Sequence, residues 1–200
     1  MRGPPPVRAP RLPPEAMPEI GSAAAPERAP ILEISDLDIT YAGGVRAVAG
    51  VGLRVRRREI VGVIGESGSG KTSLAHAVLG LLPATAAVSG RLRLDGSDLV
   101  GAPPARLRAL RGPGGAMIFQ NPMASFSPLH TLGTQLCDIL WREPGSRREK
   151  RRRIAAMLTR VGLPDAEARL DVYPFELSGG MLQRVAIAAA LMMRPGLIVA

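Results

Sequence analysis

Cysteine is almost missing from this chain: among 200 residues only Cys137 carries a thiol. An internal disulfide and a cysteine-based metal cluster are both excluded, which fits a reducing compartment. Cys137 is expected as a buried thiol. Aromatic residues make up only 3% of the chain, too few for the base-stacking platforms of single-strand nucleic-acid binders. No apolar stretch reaches the roughly 18 residues of a membrane span, and the N-terminus lacks the apolar core of a secretory signal. The chain is expected in the cytoplasm. Lysine is scarce as well, with Lys71 and Lys150 the only two among 26 basic residues. The remainder is arginine, and the formal charge of +9 raises the question of a nucleic acid or an anionic membrane surface. The densest run, Arg147-Arg148-Glu149-Lys150-Arg151-Arg152-Arg153, leads into Ile154, Met157, Leu158 and Val161. That spacing makes one apolar helix face, so the basic side chains are expected mostly as its solvated face and N-terminal approach.

What is present is more specific. Gly65-Glu66-Ser67-Gly68-Ser69-Gly70-Lys71-Thr72 meets every fixed position of the phosphate-binding pattern G-x-x-x-x-G-K-[ST], directly after the apolar run Ile60-Val61-Gly62-Val63-Ile64. The chemistry needs these residues: glycines let the backbone wrap a phosphate and present amide donors, and the helix starting near Lys71 adds its positive end. Lys71 supplies a point charge for the β- and γ-phosphates, Thr72 a hydroxyl for Mg²⁺, and Ser73 continues the helix. A nucleoside triphosphate is therefore the expected ligand.

A second motif, Leu177-Ser178-Gly179-Gly180-Met181-Leu182-Gln183, begins its serine 107 residues after Lys71. Ser178 stands where an N-cap belongs, ahead of Leu182, Val185, Ala189 and Met192 at helical spacing, with Arg194, Pro195 and Gly196 as stop signals. A hydroxyl at a positive helix end is a second phosphate site, one that a single P-loop has no room to use on its own.

Composition divides the chain. Residues 1–30, rich in Pro, Ala, Arg and Glu without periodicity, are expected as a disordered tail. From Ile31, alternation through Glu33, Ser35, Leu37, Ile39 and Tyr41, the turn Ala42-Gly43-Gly44 and the stretch from Val45 to Val55 predict a hairpin. A strand over 59–64, a helix from Lys71 to Leu82, a strand at Arg91 to Leu94, a short buried strand from Ala116 to Phe119 and a final one from Leu197 to Ala200 complete the β pattern. Between about Thr131 and Arg194 the periodicity is helical.

The two motifs together resemble the ATP-binding cassette (ABC) ATPases, and residues 31–200 look like the nucleotide-binding subunit of an importer. The oligopeptide, dipeptide and nickel uptake branch is the nearest likeness. It rests on Met117-Ile118-Phe119-Gln120-Asn121-Pro122-Met123-Ala124-Ser125 and on Tyr173-Pro174 ahead of the signature. The branch commonly has Asp at Asn121, Asn at Ser127, His at Phe175 and Arg at Leu182, so the likeness is incomplete. It implies an α/β P-loop NTPase (RecA-like) core with an N-terminal antiparallel β subdomain and a helical signature subdomain, about 121–194, that docks on transmembrane partners.

The resemblance further implies ATP and Mg²⁺ as ligands, Tyr41 stacking on adenine, Gln120 contacting Mg²⁺ and the attacking water's surroundings, and Ser178, Gly179 and Gly180 completing the pocket of a partner subunit. It places the protein on the cytoplasmic face of the membrane, with a second nucleotide-binding subunit, permease subunits and, indirectly, an extracytoplasmic solute-binding protein. In this family the strand opening at Leu197 continues into an Asp and a Glu, with a switch histidine beyond. No acidic residue follows Glu176 here, and His76 and His130 both precede the signature, where they read as helix-surface and loop residues. The core is thus expected to be C-terminally incomplete, and the 200-residue chain to bind ATP weakly and hydrolyse it poorly. An ABC-type ATPase of DNA repair or chromosome maintenance is the rival expectation. Such proteins usually interpose coiled coils or zinc modules between the motifs, and neither is found.

Overall fold

A computed structural model describes residues 29–200. The expected tail over 1–30 lies almost wholly outside the described residues. Strand β1 (Leu32–Thr40) pairs antiparallel with β2 (Arg46–Val55) and β3 (Ala87–Leu94), and β3 pairs with β4 (Ser97–Asp98), giving the order β2-β1-β3-β4. The expected hairpin is present, but its alternation changes phase. Leu32 and Ile34 are buried, then Leu37 and Ile39, because the register shifts around Asp36, whose φ is +48°. This bulge moves the apolar set back onto the core face. Opposite it, Gly90 at φ +92° lets the backbones meet; a Cβ there would lie 2.1 Å from the Asp36 carbonyl oxygen.

Helix α1 (Lys71–Val78) buries Ala77 and Val78 against the sheet's apolar face. It is shorter than expected. Gly80, at φ +61°, takes the left-handed turn while the Leu81 N–H donates to the His76 carbonyl at 2.8 Å, satisfying a helix-end acceptor before Pro83. His76 is half-buried on α1 and His130 exposed in a loop. Helix α2 (Pro104–Leu110) leads to β5 (Gly115–Met117), which pairs in parallel with the final strand, β6 (Leu197–Val199).

The strand expected over 59–64 is a correction. That segment is not a strand, and Ile60 and Ile64 are 99% and 97% exposed. A strand needs a neighbour to take its N–H and C=O groups, and among the described residues no strand pairs with it. The remaining predicted strands are found with ends shifted by a few residues.

A second apolar core lies among the helices α3 (Leu132–Ile139), α4 (Arg147–Arg160) and α5 (Gly179–Met192), built from Leu132, Leu136, Ile154, Leu158, Leu182 and Val185 among others. On α4 the sequence reading holds: Ile154 and Leu158 are buried, while Arg148, Arg152 and Arg153 face solvent. Its start is a capping box, in which the Ser146 hydroxyl accepts from the Glu149 N–H at 3.3 Å and the Glu149 carboxylate accepts from the Ser146 N–H at 2.6 Å. Ser146→Ala is expected to lower stability by about 1 kcal/mol, read as a shift in denaturation midpoint at constant slope. The bond from the Ser146 N–H holds the Glu149 carboxyl below its ordinary range. Its contribution is therefore present above the carboxylate range and fades as the pH falls through the lowered value. Cys137 is half-buried rather than buried; burial raises its pKa, while Arg147 and Arg151 pull it down by less.

Candidate nucleotide site

The loop from Gly65 to Gly70 crosses from the unpaired apolar segment to α1 and lies against β2. Gly70 is the N-cap of α1 at φ +89°, and a Cβ on it would fall 2.1 Å from the Ala47 carbonyl oxygen. Only glycine makes that turn against that wall. Lys71 folds back into the loop, its Nζ donating to Gly65 O at 2.8 Å, Glu66 O at 2.5 Å and Ser69 Oγ at 3.1 Å. The ammonium thus sits in the mouth of its own cradle.

The donor set fits a triphosphate. The first turn of α1 carries no acidic residue and Gly70 makes no side-chain cap bond, so the positive helix end is left for an external anion. Glu66, Ser67, Gly68 and Ser69 are all exposed, as is the Thr72 hydroxyl. Tyr41, half-buried just past β1, donates its hydroxyl to Ser73 Oγ at 3.1 Å, so its ring stands beside the first turn of α1. Gln120 is exposed beyond the carboxyl end of β5, the edge at which open parallel sheets bind ligands.

Ser178 caps α5, its Oγ accepting from the Met181 N–H at 3.3 Å. Nothing lies within 4 Å of where a Cβ on Gly179 or Gly180 would stand, so no described residue closes over that helix end. The structure therefore brings Tyr41, Lys71, Thr72 and Ser73 together on the first core. It leaves Ser178 on the second, with no hydrogen bond between the two among the described residues.

Three features escaped the sequence reading. The Tyr41–Ser73 bond joins residues 32 apart, which no local pattern reports. Lys71 turning inward depends on loop carbonyls, which every sequence has. Gln135 fastens the loop after Gln120, accepting from the Ser127 N–H at 2.8 Å and donating to the Ser127 and His130 carbonyls. The departures from the branch pattern lie away from the cradle. The Asn121 side chain accepts from the Met123 N–H, Ser127 meets Gln135, Phe175 stacks on Tyr173 at 5.5 Å, and Leu182 is wholly buried in the helical core.

Comparison with known proteins gives the family. The family model described as "ABC transporter" matches residues 48–200. The chain is 40% identical over 174 residues to the oligopeptide transport ATP-binding protein OppD of Salmonella typhimurium, covering 85% of this chain and 52% of that one. It is 42% identical over 177 residues to the probable D,D-dipeptide transport ATP-binding protein DdpD of Escherichia coli, covering 86% and 54%. The chain thus spans about half the length of these relatives. Among solved structures, the dimeric ATP-binding cassette MJ0796 bound to ADP and Pi superposes with a TM-score of 0.73 at 27% identity, over 84% of this chain and 72% of that one. With a glycine cradle ahead of α1, an open serine-capped α5 and these relatives, the chain belongs to the ABC transporter family.

Proposed function

We propose that this chain is the ATP-binding part of an import system for peptides or a related small solute, nickel included. The observation that carries the proposal is the pairing of a phosphate cradle, Gly65–Thr72, with a serine-capped helix that no described residue covers. In this reading Lys71 exchanges its loop oxygens for β- and γ-phosphate oxygens, and Thr72 and Gln120 hold Mg²⁺. Bound ATP supplies the phosphoanhydride whose cleavage resets the cycle. Tyr41 offers its ring to the adenine and fixes the start of α1 through Ser73.

Ser178, Gly179 and Gly180 then close on the γ-phosphate held by Lys71 of a second ATP-binding subunit, identical or homologous. The charge shared across the joint holds the two together until hydrolysis removes it. The helical subdomain, about 121–194, passes closure to permease subunits at the cytoplasmic face of the membrane, with a solute-binding protein engaged on the far side. No helix among the described residues is long and apolar enough to cross a membrane.

The test is Ser178→Arg. Nucleotide affinity should be unchanged, because Ser178 lies off the cradle, while ATP-dependent dimerisation followed by sedimentation velocity should be lost. A Ser178→Arg protein that still dimerises with ATP like the wild type contradicts the assignment.

A further inference from the structure

The tip of the α3–α4 hairpin carries charge that folding does not explain. Between Asp138 and Arg153 stand seven basic side chains against three acidic ones. Two of the three acids are engaged locally, Glu143 with Arg153 at 3.1 Å and Glu149 in the capping box. Arg148, Lys150 and Arg152 form no ion pair among the described residues. They lie on the first two turns of α4, where the helix dipole is itself positive and where Arg148 and Arg152, four residues apart, repel each other. The arrangement opposes helix stability and concentrates a positive field at the hairpin tip.

Trp141, in the turn joining the two helices, is 70% exposed, with the Arg142 guanidinium 4.8 Å from its ring centroid. The Glu143–Arg153 ion pair fastens this turn to α4. An indole beside unpaired cations matches the chemistry of a bilayer's headgroup region, where the ring lies among glycerol and acyl carbons and the cations meet phosphates. A nucleic acid fits less well, since Arg142 already covers one face of the ring and no second exposed aromatic stacks beside it.

We propose that the Trp141 turn and the basic start of α4 form a contact surface for anionic phospholipid headgroups. This rests on the peripheral membrane placement argued above and adds a direct lipid contact to docking through protein partners.

Trp141 is the only tryptophan, so its emission reports on this surface alone. Vesicles of phosphatidylglycerol mixed with phosphatidylcholine should shift the emission to the blue, and raised salt should reverse the shift. Arg148→Gln with Arg152→Gln, at exposed positions without partners among the described residues, should weaken partitioning about thirtyfold. Arg54→Gln with Arg91→Gln on the sheet should leave it unchanged. The proposal fails if pure phosphatidylcholine gives the same shift, if anionic vesicles give none, if the α4 double variant partitions like wild type, or if RNA or an acidic peptide shifts the emission while vesicles do not. Nucleotide affinity, measured on the same samples, separates the two readings. Lost vesicle binding with intact nucleotide binding overturns only this inference, whereas lost nucleotide binding with intact vesicle binding overturns only the other.

Discussion

Lys71→Ala is expected to reduce nucleotide affinity by about 100-fold or more, as measured by titration with a fluorescent ATP analogue. A charge-assisted hydrogen bond contributes roughly 1.5–3 kcal/mol, and in the proposed role the ammonium makes one to each of two phosphates. The fold should survive. The three bonds that Lys71 makes here run to exposed oxygens of its own loop, which water can satisfy once the side chain is gone. An unchanged far-UV spectrum with lost binding is the expected pair of results. Equal affinity for wild type and Lys71→Ala would refute the nucleotide site itself.

Gly70→Ala is expected to act on the fold and the site together. At φ +89° an alanine is strained by about 1–3 kcal/mol, and its methyl carbon would lie 2.1 Å from Ala47 O and 3.3 Å from Val48 Cγ2. The Ala47 contact is backbone of a paired strand, so α1 must move off the sheet. A total loss of about 3 kcal/mol or more is expected in urea denaturation, with nucleotide binding lost as well. Gly68 is the control. Its φ of +82° is nearly the same, yet nothing lies within 4 Å of its Cβ position, so Gly68→Ala should show the conformational strain alone, about 1 kcal/mol. Similar losses for the two variants would mean that contact with β2 does not hold the loop.

Some parts of this molecule could be read from one-dimensional spacing and others could not. The cradle and the cap at Ser178 are local: their hydrogen bonds close within a few residues, so residue type and position carry the information. The buried face of α4 was legible for the same reason, through Ile154 and Leu158 at helical spacing. Strand pairing is not local. The run Ile60–Ile64 has the composition of a buried strand, but a strand exists only where another offers its backbone, and alternation cannot report whether one does. The bulge at Asp36 was missed because period-two reading assumes an unbroken register, whereas the apolar positions Leu32 and Ile34 are followed three residues on by Leu37 and then Ile39. Cys137 was misjudged because its place on α3 gives its period but not how closely α4 covers it.

The exposed Ile60 and Ile64 also carry a physical consequence. Unpaired backbone beside apolar side chains templates association with other chains. Binding measurements on this chain are therefore best made at low protein concentration.

The most direct measurement of the two-sided site is a crystal structure with a non-hydrolysable ATP analogue. The account predicts that the γ-phosphate bound by Lys71 of one copy accepts hydrogen bonds from Ser178 Oγ and the Gly180 N–H of another. An analogue seated in the Gly65–Thr72 loop with every Ser178 helix end turned to solvent would contradict it.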